Sequence, residues 1–410
     1  MSRRLSRPSW THRNRWWVAA VAAVLATVVG CSAPTVGGTT APGAVIESSD
    51  RPARGAPSAL ADRFDDRLPT PLVDPDHVLS GGPPPDGIPA IDSPTFQRAD
   101  RVSWLDAQEG VLSLTVGGET RAYPLRVMTW HEIVNDTVRG VPVAVTYCPL
   151  CASGVAFERT VEDRVLSFGT SGMLYADNLV MYDRQTESLW PQLTGQASLG
   201  ELTGSRLTAI PMGTVAWQEF RKAHPAALVL SQDTGFGRPY GVNPYVGYDD
   251  PSGELLFALP TDADRRLPVK ERVIGLGEVG TAVAVRRMAL VGAGPVEVTV
   301  GGQDLVLWHR PGQVSALDAG TVAGGADLGT VAVFAPVTDG RRLRLVEVED
   351  ERGRRVEDAE TGSSWNVLGR AVSGPLAGAR LQPVTFLDTF WFAWAAFHPA
   401  TELLLDADLA

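Results

Sequence analysis

The feature that most constrains the fold of this chain is an internal repeat. Residues 183–190 read DRQTESLW and residues 358–365 read DAETGSSW, so Asp, Thr, Ser and Trp recur at the same spacing. The tripeptide His-Pro-Ala at 224–226 then recurs at 398–400. Self-similarity at a fixed separation indicates a chain built from related supersecondary units. We therefore predict two pseudo-equivalent units.

Both units have the pattern of antiparallel β-structure. Runs rich in β-branched residues, such as 111–116 and 296–300, end at pairs of glycines that favour tight turns. Each unit closes with a predicted helix, at 214–223 and 388–397, which ends at a His-Pro pair because proline cannot continue a helix. The second helix is apolar on nearly every face and is expected inside the protein. The predicted class is α+β, mainly antiparallel β, with two duplicated β-rich units each closed by a helix.

The N-terminus has the pattern of a lipoprotein signal peptide at residues 1–30. Five arginines and no acidic residue precede an apolar run at 16–30, which is too short to span a bilayer. Small residues then precede Cys31, as in the site read by lipoprotein signal peptidase. We expect a lipid on Cys31 to anchor the protein to the extracytoplasmic face of the cell membrane; an ordinary secretory signal or an uncleaved anchor are the alternatives.

The rest of the chain divides into a predicted linker and the two predicted units. Residues 31–73 are predicted to be a flexible linker, because 32–57 consist mainly of Gly, Ala, Pro, Ser and Thr. Residues 74–265 form the predicted first unit and 266–410 the second, cysteine-free unit.

The formal charge of −11 disfavours binding to nucleic acid, whose phosphates are also negative. The membrane, through the lipid anchor, is the one partner that the sequence indicates, and any protein or small-molecule partner stays unknown.

Comparison of the two units separates structural from functional candidates. Features present in both units are expected to serve the fold; they include Trp190, Trp365, His224 and His398. The motif Cys148-Pro-Leu-Cys151 occurs only in the first unit, as does the upstream His131. These three residues, Cys148, Cys151 and His131, are the predicted functional site.

Three interpretations of the cysteine pair are open. An exported pair commonly oxidises to a disulfide, which here would close a very short loop and stabilise little. Two thiolates with His131 as a third ligand would suit Cu or Zn. Thiol redox chemistry is the third, although residues 152–159 read as a turn and a strand and not as the activating helix of thioredoxin-like proteins.

The corresponding function is an exported lipoprotein with a soft-metal-binding or redox-linked site. The competing prediction is a non-enzymatic structural or interaction lipoprotein with an inert disulfide. A hydrolase is disfavoured because the sequence contains no Gly-x-Ser-x-Gly, His-Glu-x-x-His or phosphate-binding glycine motif. Other polar or sulfur-containing residues of the first unit are candidates for lining the pocket: Met128, Glu132, Met173, Tyr175, Asn178, Arg184, Gln185, Arg238 and Tyr240.

The chain resembles the DUF3179 family, a domain of unknown function in exported bacterial and archaeal proteins. The residues that carry the resemblance lie in five motifs, at 80–91, 122–125, 131–136, 147–154 and 181–190. The resemblance extends from about residue 74 to the C-terminus. It implies an exported location and assigns no substrate, because no activity is established for the family.

Overall fold

Strands dominate the architecture. The computed structural model describes residues 51–351 and 353–409. Within these ranges the chain is mainly antiparallel β with three short α-helices, which confirms the predicted α+β, mainly β class. None of these helices has the length and apolar character needed to span a bilayer. The predicted signal peptide at 1–30, Cys31 and the first part of the linker lie outside the described residues.

The strands up to residue 230 are, in chain order, β1 Val78–Ser80, β2 Phe96–Arg98, β3 Gly110–Val116, β4 Glu119–Pro124, β5 Ile133–Val138, β6 Val141–Cys148, β7 Ser153–Glu158, β8 Thr160–Val161, β9 Arg164–Val165, β10 Phe168–Tyr175, β11 Asn178–Asp183, β12 Leu189–Pro191, β13 Thr208–Ile210, β14 Met212–Ala216 and β15 Leu228–Leu230. The helices are α1 Leu125–His131, α2 Trp217–Ala223 and α3 Trp391–Phe397. These strands form three main sheets, ordered β1-β10-β11-β12, β13-β7-β6-β5 and β14-β3-β4-β15-β2, in which β15 and β4 pair in parallel.

The strands after residue 270 are β16 Arg272–Leu276, β17 Val283–Arg286, β18 Val296–Val300, β19 Gln303–Arg310, β20 Thr330–Ala335, β21 Val337–Thr338, β22 Arg341–Arg342, β23 Leu345–Asp350, β24 Gly353–Asp358, β25 Ser364–Trp365, β26 Ala371–Ser373, β27 Gln382–Pro383, β28 Phe386–Phe390 and β29 Glu402–Leu404. They form sheets ordered β28-β16-β17-β29, β18-β19-β20-β27 and β23-β24-β25-β26, and β29 pairs with β17 in parallel.

The two predicted closing helices are shorter than expected. Residues 214–216 belong to β14, which pairs with β3, and residues 388–390 belong to β28, which pairs with β16. Helix α2 therefore begins at Trp217 and α3 at Trp391, because sheet pairing competes successfully with helix formation for the preceding residues. Helix α3 is largely buried, as its apolar sequence predicts. Helix α1, which ends at His131, was not predicted.

The repeated Asp-Thr-Ser-Trp motif forms the same hydrogen bonds in both places. The Asp183 carboxylate accepts hydrogen bonds from the Thr186 N–H at 2.7 Å and from the Trp190 indole N–H at 2.9 Å. Asp358 accepts from Thr361 at 2.6 Å and from Trp365 at 3.0 Å. Both carboxylates are fully buried, so each replaces lost hydration with bonds to the turn and the indole.

Substitution of either aspartate is expected to destabilise the protein. Asp183→Ala and Asp358→Ala each leave a buried indole N–H and a turn N–H without an acceptor, at a cost of about 2–4 kcal/mol. Urea unfolding should give similar losses for both variants because their hydrogen bonds match. A difference of more than about 2 kcal/mol between them would contradict the equivalence of the two motifs.

One large core cluster joins the two halves of the chain. It contains Cys148 and Cys151 together with Phe390, Trp391 and Trp394 from the C-terminal region.

Part of the predicted linker is also packed. Ala59 is fully buried, and Leu60 and Leu68 lie against the apolar side chains of the β1-β10-β11-β12 sheet. These apolar residues interrupt an otherwise polar segment, and their burial attaches the segment to the sheet. Residues 58–73 therefore form part of the folded body.

Candidate functional site

The two cysteines lie on a tight connection between adjacent antiparallel strands. Cys148 is the last residue of β6, and residues Pro149–Cys151 form a single 3-10 turn. Ala152 follows in the left-handed conformation with φ of 53°, and Ser153, which opens β7, pairs with Cys148. Both thiols are at most 1 % exposed and neither forms a disulfide. The turn thus holds two free thiols side by side inside the protein.

Both sulfur atoms accept hydrogen bonds from strand β11. The Leu179 N–H lies 3.4 Å from Cys148 Sγ, and the Asn178 side-chain amide lies 2.8 Å from Cys151 Sγ. The Ser153 hydroxyl is 3.2 Å from Cys151 Sγ and 3.2 Å from Gln192 Oε1. The Gln192 amide is fixed in turn by donation to Thr146 Oγ1. A buried polar network therefore orients donors toward the sulfurs.

Burial favours the protonated form of Cys148. It raises the pKa of the Cys148 thiol well above its ordinary value, and the neighbouring Cys151 and Glu132 raise it further, whereas the Leu179 N–H lowers it. The desolvation of a thiolate is therefore only partly offset by the N–H donor. At neutral pH Cys148 is a thiol in the absence of a bound cation.

The His131 side chain is hydrogen-bonded through both ring nitrogens and is not free to bind a metal ion. Its Nδ1 lies 2.7 Å from the Pro89 carbonyl oxygen, to which only a protonated nitrogen can donate. Nε2 then accepts from the Tyr240 hydroxyl at 2.6 Å, and Tyr240 also contacts the Thr234 hydroxyl. Burial lowers the pKa of His131 and keeps the ring neutral. Both ring nitrogens are therefore already engaged.

The predicted three-ligand metal set is consequently not assembled. Among residues 51–351 and 353–409, no group of three His, Cys, Asp or Glu side chains is placed to hold a metal ion. Cys148 and Cys151 are together, but His131 is bonded to Pro89 and Tyr240 instead. The physical reason is that His131 ends α1, where the Pro89 carbonyl and the Tyr240 hydroxyl lie within hydrogen-bond distance of its two ring nitrogens.

Glu132 is the unusual acid of the site. It caps α1 with φ of 60°, a conformation in which non-glycine residues are strained. Burial raises the pKa of its carboxyl to about 8, so it is mostly protonated at neutral pH. When it is ionised, its negative charge raises the pKa values of Cys148 and Tyr245. Glu132 is thus an acid next to the dithiol that titrates near neutral pH.

A second buried acid lies on the turn that carries Asn178. Ala176 and Asp177 both have positive φ and form the two-residue connection between β10 and β11. Burial raises the pKa of Asp177 to about 7, although its hydrogen bond from the Tyr248 hydroxyl, at 3.2 Å, acts in the opposite direction. The Lys270 ammonium lies 3.7 Å from the centre of the Tyr248 ring.

The cover of the thiol turn comes from later parts of the sequence. Thr389 in β28 donates its hydroxyl to the Cys151 carbonyl at 2.8 Å. The tyrosine-rich segment after β15 contributes Tyr245 and Tyr248, which pack against the core cluster that contains Cys148. This segment connects the two halves and also lies against the first one. The site is therefore closed by residues from both regions.

The other pocket candidates are dispersed. Met128 is buried in a separate core cluster on α1, and Met173 packs against a third one beside β1. Tyr175 contacts the Phe397 ring at 5.8 Å. The remaining three form defined structural contacts: Arg184 forms ion pairs with Asp86 and Asp92, Gln185 bonds to Ser167, and Arg238 lies over the Trp130 ring. Of the candidates, the structure places Asn178 and Glu132 near the thiols.

Six residues of the site were not identified from the sequence: Thr146, Ser153, Asp177, Leu179, Lys270 and Thr389. Each reaches the site through a turn or a contact between distant segments, which periodicity does not reveal. The tyrosines after β15 carried a detectable signal, because residues 235–250 have no counterpart in the second unit.

Comparisons with known proteins give one result. A family model described as "Protein of unknown function (DUF3179)" matches residues 85–401, which include the thiol turn and most of both halves. No curated protein and no solved structure matches the chain. The match transfers no activity to this chain.

Proposed function

Since the chain belongs to the DUF3179 family of proteins of unknown function, we propose from its own geometry that it binds one soft monovalent cation of the Cu(I) class between Cys148 and Cys151. The observation that carries the proposal is that both sulfurs accept a hydrogen bond from an amide N–H, one from Leu179 and one from Asn178. Such donors stabilise negative charge on sulfur. Binding would replace two thiol protons by one cation.

The number and type of ligands select this class of ion. Tetrahedral zinc sites use four protein ligands, or three with a water, and the described residues offer no third ligand beside the thiols. Two thiolates suit a soft monovalent ion, for which sulfur ligands are selective. Burial of both sulfurs also disfavours exchange with the disulfide of another protein, because that reaction requires a sulfur to be reached directly. A small ion needs far less opening.

The competing function is an interaction lipoprotein whose cysteines are inert. The specific observation in its favour is the same burial, since both thiols belong to the largest core cluster among the described residues. Free buried cysteine behaves as a small apolar residue. The two functions differ in what they require of the sulfurs: the first needs them to ionise when a cation arrives, and the second needs them only to fill space.

Anaerobic titration with Cu(I) against a chromophoric chelator tests the proposal. A Cys31→Ala background leaves Cys148 and Cys151 as the remaining thiols. We expect one equivalent of Cu(I) per chain, no binding in Cys148→Ala/Cys151→Ala, and about tenfold weaker binding in Asn178→Leu, which loses one N–H···S bond. Met173→Leu is the matched control: it removes a thioether that packs in a different core cluster, and it should bind normally.

Each result decides between the two functions. Absence of stoichiometric binding, or binding that survives the double substitution, would overturn the proposal. Circular dichroism melts of the same variants separate a loss of ligands from a loss of fold. If the variants are folded and the intact protein neither binds Cu(I) nor reacts with a small alkylating reagent, the inert function is favoured.

We also propose that the protein is anchored on the extracytoplasmic face of the cell membrane through a lipid on Cys31. The support is the arginine-rich start, the apolar run and the small residues ahead of Cys31. A linker then separates the anchor from the folded body. This location would place the dithiol where metal ions enter the cell envelope.

A duplication is the simplest origin of the architecture, and we infer that residues 74–265 and 266–410 are its two copies. In support, the sheet order β13-β7-β6-β5 corresponds to β27-β20-β19-β18, and β14-β3-β4-β15 corresponds to β28-β16-β17-β29. The parallel pair in each set occupies the same place. The matching Asp-Thr-Ser-Trp bonds add an independent correspondence.

A further inference from the structure

A second candidate site is a cavity whose lining residues include neither the two cysteines nor the hydrogen-bond partners of their sulfurs. The cavity has a volume of about 240 Å³ and is partly open. Strands β3 and β14 form one side and strands β20 and β28 contribute to the other. Its walls are mainly apolar and include Val215, Phe334 and Phe386. An apolar cavity of about 150 Å³ holds a benzene ring, so this one has room for a somewhat larger apolar group.

Cationic and hydrogen-bonding groups lie close together at this cavity. His224 and Arg380 line it, and Arg370 pairs with Arg380 through an isolated antiparallel bridge. Both arginines lie close enough to His224 to lower its pKa, after the larger effect of burial, to about 4. Within residues 51–351 and 353–409, neither guanidinium forms an ion pair, although the chain carries a formal charge of −11.

The two repeated histidines differ in a way that favours a ligand at the first. His398 stacks on Trp394 and bonds through Nδ1 to the Trp394 carbonyl oxygen. The His224 ring contacts Phe220, and in the described part of the chain its nitrogens have no hydrogen-bond partner. A neutral imidazole with a free N–H can donate to an anion. The pair of arginines supplies the opposite charge.

We propose that this cavity binds a free, single-chain amphipathic anion: an aliphatic carboxylate whose tail lies among the apolar side chains and whose carboxylate meets Arg380 and His224. Apolar walls with a few convergent polar groups are the usual composition of small-molecule sites. Unpaired arginines on an acidic protein select an anion by charge complementarity. The volume excludes a lipid with two long acyl chains. This site is independent of the proposed cation site.

Isothermal titration of the purified protein with octanoate, below its micelle concentration, tests the proposal. We expect one octanoate per chain, with acetate, 1-octanol and octyltrimethylammonium each bound at least tenfold more weakly. Arg380→Glu should weaken octanoate binding at least tenfold, since it replaces attraction by repulsion at the head group. Ser113→Phe should abolish binding, because Ser113 lines the cavity and a phenyl ring would fill it.

Arg341→Glu provides the matched charge control, because Arg341 is exposed on β22 and does not line the cavity. It should bind octanoate like the unchanged protein, and equal weakening by both charge reversals would overturn the proposal. Equal binding of the cationic or neutral amphiphile would do so as well. Tighter binding of dihexanoylphosphatidylglycerol than of octanoate would show that the ligand is a membrane lipid and contradict the single-chain assignment. Thermal melts verify that each variant is folded.

Discussion

Asp388→Ala is expected to destabilise the folded protein by about 3–5 kcal/mol, because it leaves the buried guanidinium of Arg287 and the partly buried one of Arg272 without their counter-ion. Asp388 lies in β28 and accepts hydrogen bonds from Arg272 at 2.8 Å and from Arg287 at 3.2 Å. Arg287 is almost completely buried and also donates to the Leu328 and Gly329 carbonyl oxygens. Urea unfolding at pH 7 measures the loss.

The pH dependence of the same group has a defined sign. Burial alone would raise the pKa of Asp388, but Arg272 and Arg287 outweigh it and the net pKa is lowered. A carboxyl with a lowered folded-state pKa stabilises the protein above its unfolded pKa, and this contribution disappears as the pH falls through the folded pKa. The difference between the intact protein and Asp388→Ala should therefore shrink in acid. Asp100→Ala, which breaks an exposed ion pair with Arg98, is the matched control and should change stability little.

Glu132→Gln is expected to change the pH dependence of stability by several kcal/mol. Below the unfolded pKa of about 4.3 the carboxyl is protonated in both states and burial carries no ionisation penalty. As the pH rises toward 8, the unfolded chain ionises while the folded one retains the proton, so folding becomes less favourable by about 1.4 kcal/mol per pH unit. Glutamine cannot ionise and avoids this loss. Relative to the intact protein, Glu132→Gln should gain about 4 kcal/mol between pH 4.5 and pH 8.

Unfolding free energies at four pH values across that range test this expectation. Asp177, with a pKa of about 7, also makes the folded protein less stable as the pH rises. It contributes equally to the intact protein and to Glu132→Gln, so the difference between their profiles isolates Glu132. Glu162→Gln is the matched control because Glu162 also has a positive φ, of 52°, but is exposed. Parallel stability profiles for the intact protein and Glu132→Gln would show that Glu132 ionises as readily in the folded state as in the unfolded one.

Local sequence patterns predicted the parts of this fold that depend on neighbouring residues. The β-branched runs before Gly117 and Gly301 became strands β3 and β18, and residues 152–159 became the predicted turn and strand. In each case the side-chain periodicity and the turn residues specify the same hairpin. The position of Cys148 and Cys151 on one tight turn follows from this local order.

Contacts between distant segments decided the rest. The sequence predicts His131 as the third ligand because it lies just upstream of the cysteines and has no counterpart in the predicted second unit, yet its partners are Pro89 and Tyr240. The donors to the sulfurs come from β11, which reaches the turn only through the three-dimensional arrangement of two sheets. Arg184 was a pocket candidate because the second unit lacks it, but Asp86 and Asp92 engage it in ion pairs. Absence from the predicted second unit therefore identifies structural specialisation as well as function.

The bond between Thr389 and Cys151 has a consequence for the order of events during synthesis. Its two residues are 238 positions apart, and the covering strand β28 and helix α3 are among the last segments to leave the ribosome. At 5–20 residues per second, the thiol turn emerges roughly 10 to 50 s before its cover. During that interval the sulfurs are accessible to oxidants and to larger reagents that cannot reach them once both cysteines are buried. The chemical state of the dithiol can thus be decided while the chain is still being made.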